Sequence, residues 1–413
     1  MKKNSKTKKP VATIPAAKIE KRNMVIAQSG GPSMVINQSL VGAVEAAKGC
    51  KLIGKIYGAK HGIDGIIGEN FVDMRKLSSK ALGEVARTPS SALGSVRRKP
   101  TEEDCAKIFD VLRKLEVGYF FYIGGNDSAE TVHIVNALAK ANGISLKCFH
   151  IPKTIDNDLR QNDHTPGYGS AARFVALAFM GDNLDNLALG GVKINVVMGR
   201  HAGFLTAASA LGRQHEDDGP HLIYLPERAF CMDTFADDVK KVMEKTGRCV
   251  VAVSEGICDK NGTPIAASLS GGEKDSHGNV QLSGTGALGD LLVSEIKSRL
   301  GIKRVRADTF GYLQRSFPEV ASEVDSAEAY QAGVKAVETA ASGKFDSGSI
   351  AIKRRAGAKY AADFVCVPLK SVARETRSMP ASHINRAGND VTKAFVDYAR
   401  PLVGDLPKMG RLI

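Results

Sequence analysis

The chain of 413 residues reads as an α/β protein with parallel-rich sheets, and three features carry that reading. Short apolar runs recur along it, each ends in a glycine-rich or polar turn, and a stretch of helical spacing follows each turn. Strands alternating with helices in this way pair in parallel through right-handed crossovers. NMVIAQSGGPSMVINQSLVGAVEAAKG, from Asn23, reads strand, glycine turn, helix. GYFFYIGGNDSAETVHIVNALAKANG, from Gly118, repeats the plan, and LKCFHIPKTIDNDL, from Leu146, supplies a third strand with a polar exit. KINVVMGRHAGFLTAASALG, from Lys193, and RCVVAVSEGI, from Arg248, do so again. Pro166 and Gly167 interrupt the chain before a helical pattern from Ser170 to about Leu189, which puts a domain crossing near Thr165. The segment 270–286, SGGEKDSHGNVQLSGTG, reads as an exposed loop over a site.

Composition excludes several classes. A hydrophobic share of 43% and a charged share of 24% are ordinary for a globular protein. No run approaches the roughly 20 apolar residues of a membrane helix. The basic start, MKKNSKTKKP, leads into VATIPAAKIEKRN rather than an unbroken apolar core, so no secretory signal is expected and a cytoplasmic address is. The seven cysteines form no Cys-x-x-Cys pair, which argues against a disulfide framework or structural zinc. The net charge of +13 suits small anions as well as nucleic acid, but much of it falls in residues 1–22, expected to be a disordered tail. With no Trp to build a stacking platform, neither nucleic acid nor membrane is expected as a partner.

The polar turns all fall at the carboxyl ends of expected strands, where open α/β sheets bind ligands. Gly30 and Gly31 let backbone amides and the next helix N-terminus face an anion, or simply connect strand to helix. Gly124 and Gly125 do the same, with Ser128 as a candidate cap and Asp127 an awkward neighbour for phosphate. The Gly-x-Gly-x-x-Gly and Walker A patterns are absent. IPKTIDNDLRQND is more specific: Lys153 and Thr154 precede two carboxylates, Asp156 and Asp158. These could supply a base for a sugar hydroxyl and a cation for a phosphoryl group within six residues, or form a solvated acidic turn. VVMGRHAG, with Gly199 and Arg200, and FGYLQRS, with Tyr312 and Arg315, offer further anion grips.

Together these segments resemble the phosphofructokinase family, in the family's order, from about Asn23 to Ala340. QSGGPSMVIN and GGNDS are similar to its phosphate turns, LGSVR to its bridging arginine segment, PKTIDND to its catalytic loop, and MGR, SEG and YLQR to its sugar phosphate segments. The resemblance implies two Rossmann-like three-layer domains with the active site in the cleft between them. It allots residues 23–165 and about 325–380 to a phosphoryl-donor domain, and 166–324 and about 381–413 to a sugar-phosphate domain.

The resemblance also implies a role for each matching residue. Asp156 is the base for the sugar 1-hydroxyl, and Thr154 and Asp158 orient it. Gly31, Arg97, Gly125, Asn126 and Ser128 face the phosphoryl donor. Met198, Gly199, Arg200, Glu255, Tyr312 and Arg315 face the sugar phosphate, with Arg200 also near the transferred group. Members that use ATP carry glycines where this chain has Asp127 and Lys153, and members that use inorganic pyrophosphate carry Asp and Lys there. The physics agrees, since Asp127 repels a nucleotide α-phosphate and Lys153 neutralises a compact diphosphate. Reversible transfer from pyrophosphate to fructose 6-phosphate is therefore expected, with an ATP-dependent kinase and a silent sugar-phosphate-binding regulatory protein as the alternatives.

Departures from the family pattern set the remaining expectations. Asn126 replaces a common Asp, so Mg²⁺ is expected on Asn126, Asp127 and Asp156 together with phosphate oxygens. GYGSA at Gly167–Ala171, QRSF after Gln314, and the lack of an Arg before MGR, where Lys193 lies close, open the acceptor range to sedoheptulose 7-phosphate. A homodimer or homotetramer is implied, in which a neighbouring subunit's Arg reaches the sugar phosphate.

Overall fold

The computed structural model describes residues 21–268, 286–357, 359–373 and 376–412. The expected basic tail lies outside the described residues up to position 20, whereas Arg22, assigned to that tail, opens the first strand. The expected loop over the site also lies outside them, except for Gly286.

Seven strands form the larger sheet: β1 (Arg22–Gln28), β2 (Ile53–Ala59), β3 (Phe71–Asp73), β4 (Val117–Gly124), β5 (Lys147–Pro152), β10 (Ser347–Arg354) and β11 (Ala362–Val367), in the order β11-β10-β5-β4-β1-β2-β3. Only the two edge strands run antiparallel to their neighbours. The second sheet holds β6 (Gly191–Val197), β7 (Leu222–Tyr224), β8 (Arg248–Ser254) and β9 (Val305–Thr309) in the order β7-β8-β6-β9, all parallel.

Central parallel strands are covered on both faces and so read as continuous apolar runs, which is why β1, β4 and β8 stand out in the sequence. Side chains of alternate parity feed opposite layers. In the larger sheet Met24, Ile26, Phe121 and Ile151 pack against helices Ile36–Gly49 and Glu323–Ala341, through Leu40, Val44, Ala332 and Ala336. On the other face Val25, Ala27, Phe120 and Tyr122 meet Ile108, Val132 and Val135. In the second sheet Val250 and Ala252 face helix Tyr168–Leu189 and Phe395 of the C-terminal helix Lys393–Val403, while Val251 and Val253 face Phe235 and Leu292. Each sheet is therefore the middle of three layers.

Helix Glu323–Ala341 joins the two units. Its middle lies on the larger sheet, while Asp325, near its start, accepts from Gly167 N (2.9 Å), Ser170 N (2.8 Å) and Ser170 Oγ (2.6 Å). These are orphan donors at the N-terminus of helix Tyr168–Leu189, so one buried carboxylate caps the helix of the second unit from the first. The same helix crosses Ile36–Gly49 at backbone contact: a Cβ on Gly333 would stand 2.1 Å from the Ser39 carbonyl oxygen, and one on Gly42 2.1 Å from that of Tyr330. Gly333→Val is expected to force the pair apart and cost about 1–3 kcal/mol. Thermal melting of the ligand-free variant checks this, and an unchanged midpoint would contradict the packing.

Candidate active site

The larger sheet lines up three strand ends. Gln28 of β1 pairs with Ile123 of β4, and Gly124 of β4 pairs with Pro152 of β5, so the three turns that follow leave side by side. Ser29 N donates to Ile123 O and Lys153 N to Gly124 O, both at 2.9 Å, which carries the register one residue beyond the strands. In the second sheet Val197 pairs with Ser254, and Val196 with Thr309, so the segments after β6, β8 and β9 also start level.

Both sets of turns open on one cavity of about 600 Å³. From the larger sheet come Gly31, Arg97, Gly125, Asn126, Asp127, Ser128, Lys153, Thr154, Asp156 and Asp158. From the second come Met198, Arg200, Glu255, Tyr312 and Arg315. Two glycines singled out in the sequence, Gly124 and Gly199, do not line it; the Gly199 carbonyl accepts from Ser254 Oγ (2.6 Å). Lining residues that sequence reasoning passed over include His201, Arg98, Thr131 and Thr376. His201 directly follows the MGR motif, which was signal enough, whereas nothing local marks Thr376.

Lys153 is the electrostatic centre. It is 3% exposed, and its ammonium donates to the Gly31 carbonyl. Burial, and then the nearby Arg315 guanidinium, push it down to about 7 against the pull of Asp156. A Cβ on Gly31 would lie 2.7 Å from Arg315 Nη1, so the bare glycine leaves room for that cation against the turn and a side chain there would make the guanidinium shift. Arg315 also stacks over the Tyr312 ring at 4.5 Å. The guanidinium assigned to the sugar phosphate thus stands next to the first phosphate turn. Ser95 Oγ donates to Gly30 O (2.6 Å) and Gly30 N to Val96 O (3.2 Å), which ties the segment carrying Arg97 to that turn.

The carboxylates shift the other way. Burial raises Asp156 above the usual carboxylate range, opposed by Lys153 and Arg200. Burial and then Asp156 raise Asp158 to about 7. Asp156 N donates to Thr154 Oγ1 (3.1 Å), and Asn126 Nδ2 donates to Asp158 Oδ2 (3.2 Å). Asn126 Oδ1 is a buried acceptor without a donor.

Three local readings change. Ser128 does not cap its helix: Gly125 occupies the cap position without a side-chain bond, and the Ser128 hydroxyl meets that of Ser29. Asp127 is not a lone negative charge, because Lys99 pairs with it at 3.3 Å and with buried Glu130 at 2.6 Å. Lys193, close to the MGR motif in sequence, has its ammonium held by Asp308 and Asp182 and does not line the cavity of its own chain.

Residues 23–340 match the phosphofructokinase family model. The chain belongs to the phosphofructokinase family. Over 93% of its length this phosphofructokinase is 58% identical to a Rhodospirillum rubrum protein named pyrophosphate–fructose 6-phosphate 1-phosphotransferase, covering 95% of that protein. It is 40% identical to a Xanthomonas campestris protein of the same name, covering 93% of this chain and 92% of that one. Its fold superposes on the crystal structure of a pyrophosphate-dependent phosphofructokinase from Nitrosospira multiformis with a TM-score of 0.83, at 32% identity and 95% coverage of each chain. The family match stops at Ala340, so β10, β11 and the return of Thr376 to the cavity lie beyond it.

The depressed Lys153 has a consequence for the ligand-free enzyme. Its folded value of about 7 lies below the ordinary 10.5, so the folded chain binds fewer protons than the unfolded chain between these values. The destabilisation is complete below pH 7 and fades as pH rises toward 10.5. Lys153→Met is expected to raise ligand-free stability at pH 6.5 by on the order of 3 kcal/mol, net of the lost Gly31 hydrogen bond. That gain should shrink in melts at pH 9.5. A loss of stability at pH 6.5 would contradict a strained ammonium.

Proposed function

We propose that this phosphofructokinase transfers a phosphoryl group reversibly from inorganic pyrophosphate to the 1-hydroxyl of fructose 6-phosphate, giving fructose 1,6-bisphosphate and phosphate. The observation that carries the donor assignment is a pair lining the same cavity: the buried Lys153 ammonium against Gly31, and the Asp127 carboxylate held by Lys99. A compact, highly charged anion repays the desolvation of Lys153, whereas a nucleotide must place an α-phosphate and sugar where Asp127 stands. The names of the relatives support the same donor.

In this reading Gly31, Arg97, Gly125, Asn126 and Ser128 hold the pyrophosphate, with helix Asn126–Ala141 directing its N-terminus at the anion. Met198, Arg200, Glu255 and Tyr312 hold the sugar phosphate, with Gly199 shaping the turn between the first two, and Arg315, between Tyr312 and Gly31, serves both ends. Asp156 removes the proton from the 1-hydroxyl, aligned by its backbone bond to Thr154 and by the neighbouring Asp158. Its raised affinity for protons makes it a stronger base than a solvated carboxylate. Lys153 and Arg200 balance the charge on the transferring group, and the burial of Lys153 strengthens that balance.

The donor set fits Mg²⁺ in a particular way. Among the described residues no three His, Cys, Asp or Glu side chains converge to hold a metal by themselves. The buried Asn126 Oδ1, lacking a donor, is a ready ligand in the cavity that Asp156 also lines, and the remaining positions suit phosphate oxygens and water. Asp127, tied to Lys99, is the weakest of the three expected ligands. When bound, Mg²⁺ supplies charge neutralisation on the phosphate oxygens. We extend the proposal to sedoheptulose 7-phosphate as a second acceptor, a homodimer or homotetramer as the working form, and a cytoplasmic setting.

Parallel assays of fructose 1,6-bisphosphate formation with pyrophosphate and with ATP test the donor: turnover with pyrophosphate is expected, and preference for ATP would overturn it. Asp156→Ser is expected to lower kcat by about 10²–10⁴-fold while fructose 6-phosphate still binds by calorimetry. Retained turnover would refute the base.

A further inference from the structure

The loop from Thr154 to Thr165 carries the proposed base, yet it has little regular structure of its own. Asn157 (φ 60°) and Gln161 (φ 64°) both sit in the left-handed region, an unfavourable conformation for residues with side chains. The resulting path turns the carbonyls of Asn157, Asn162 and Asp163 toward one point, where their partial negative charges repel each other unless a donor lies between them.

Arg377 lies there. Its Nε and Nη2 donate to Asn157 O at 3.2 and 2.7 Å, and its Nη1 donates to Asn162 O at 2.7 Å and to Asp163 O at 3.0 Å. Its backbone N donates to Asp158 O at 2.7 Å, and its neighbour Thr376 bridges to Leu159. The back of the guanidinium rests on the Phe204 ring at 4.8 Å, so the second unit supports the group from behind. One planar cation thus gathers three carbonyls and its backbone a fourth, a fork that lysine cannot reproduce.

We propose that Arg377 is a positioning residue for phosphoryl transfer: it fixes the backbone immediately carboxyl-terminal to Asp156, at Asn157, Asp158, Asn162 and Asp163, and so keeps the Asp156 carboxylate aimed at the acceptor hydroxyl. The proposal rests on the reading of Asp156 as base. Arg377 does not line the cavity, so it acts through the loop and not on substrate. It lies 220 residues from Asn157 in the chain and beyond the family match at Ala340, which makes the C-terminal extension part of the catalytic apparatus.

The test uses the full chain with pyrophosphate and fructose 6-phosphate, comparing Arg377→Met and Arg377→Lys in the wild-type and Asp156→Ser backgrounds. Arg377→Met is expected to lower kcat by about 100-fold, the effect of misplacing a catalytic group by about 1 Å. Calorimetric affinity for fructose 6-phosphate should stay within about threefold, since binding groups are untouched. Arg377→Lys should lose about tenfold, and should carry the comparison alone if the Met variant does not fold. In the Asp156→Ser background neither substitution should cost anything further, because the group being positioned is gone. Unchanged kcat in a folded Arg377 variant, or an equal further loss without Asp156, would overturn the role. Full turnover by Asp156→Ser alone would overturn the parent reading and Arg377's role with it, whereas a loss there beside intact Arg377 variants would sink the Arg377 role only.

Discussion

Lys153 keeps its ammonium almost wholly out of water at the meeting point of three strand ends, with the Gly31 carbonyl as acceptor and Arg315 and Asp156 as neighbours. A cation held there is strained in the empty enzyme, and an anion of high charge density relieves it. The same burial raises the proton affinity of Asp156 and Asp158 above that of solvated carboxylates, with Lys153 pulling Asp156 the other way, and the bare Gly31 leaves room for a second cation, Arg315, beside the turn. Stability given up in the free state is recovered when donor and acceptor arrive, the usual economy of a preorganised site.

The fold maintains the imbalance through parallel register. In a parallel sheet the carboxyl ends of neighbouring strands fall on one edge, and here β1, β4 and β5 stop within one residue of each other. A second sheet, ending its own strands level, brings Arg200, Glu255 and Arg315 to the same cavity. Helix Glu323–Ala341 sets the two edges against each other, its Asp325 capping the helix of one unit while its glycine contact packs it onto the other. Arg377 adds a later clamp on the loop that crosses between them.

What was legible in the sequence was what is local. Each turn motif is a contiguous string at the end of an apolar run, so the strands β1, β4, β5, β6 and β8 and most of the cavity residues were legible, some of them, such as Arg97 and Glu255, only through the order of the family's motifs. Edge strands β3 and β7, with three residues each, carry too little pattern to be seen. Pairings between distant residues were invisible for a different reason: nothing near Asp127 announces Lys99, and nothing near Asn157 announces Arg377. Lys193 shows the converse, a residue close to the right motif but on a β6 position where Asp182 and Asp308 hold its ammonium, and it does not line the cavity of its own chain. Ser128 likewise had the right chemistry for a cap, but the strand register placed it against Ser29.

The central claim is that the buried Lys153 side chain, pushed down to about 7, is only partly protonated at pH 8 until the donor binds. Calorimetric titration of pyrophosphate with Mg²⁺ at pH 8, repeated in buffers of different ionisation enthalpy, counts the protons taken up on binding for the wild type and for Lys153→Met. The account predicts that the wild type takes up close to one proton more per pyrophosphate than the variant does; equal proton uptake by the two proteins would contradict it.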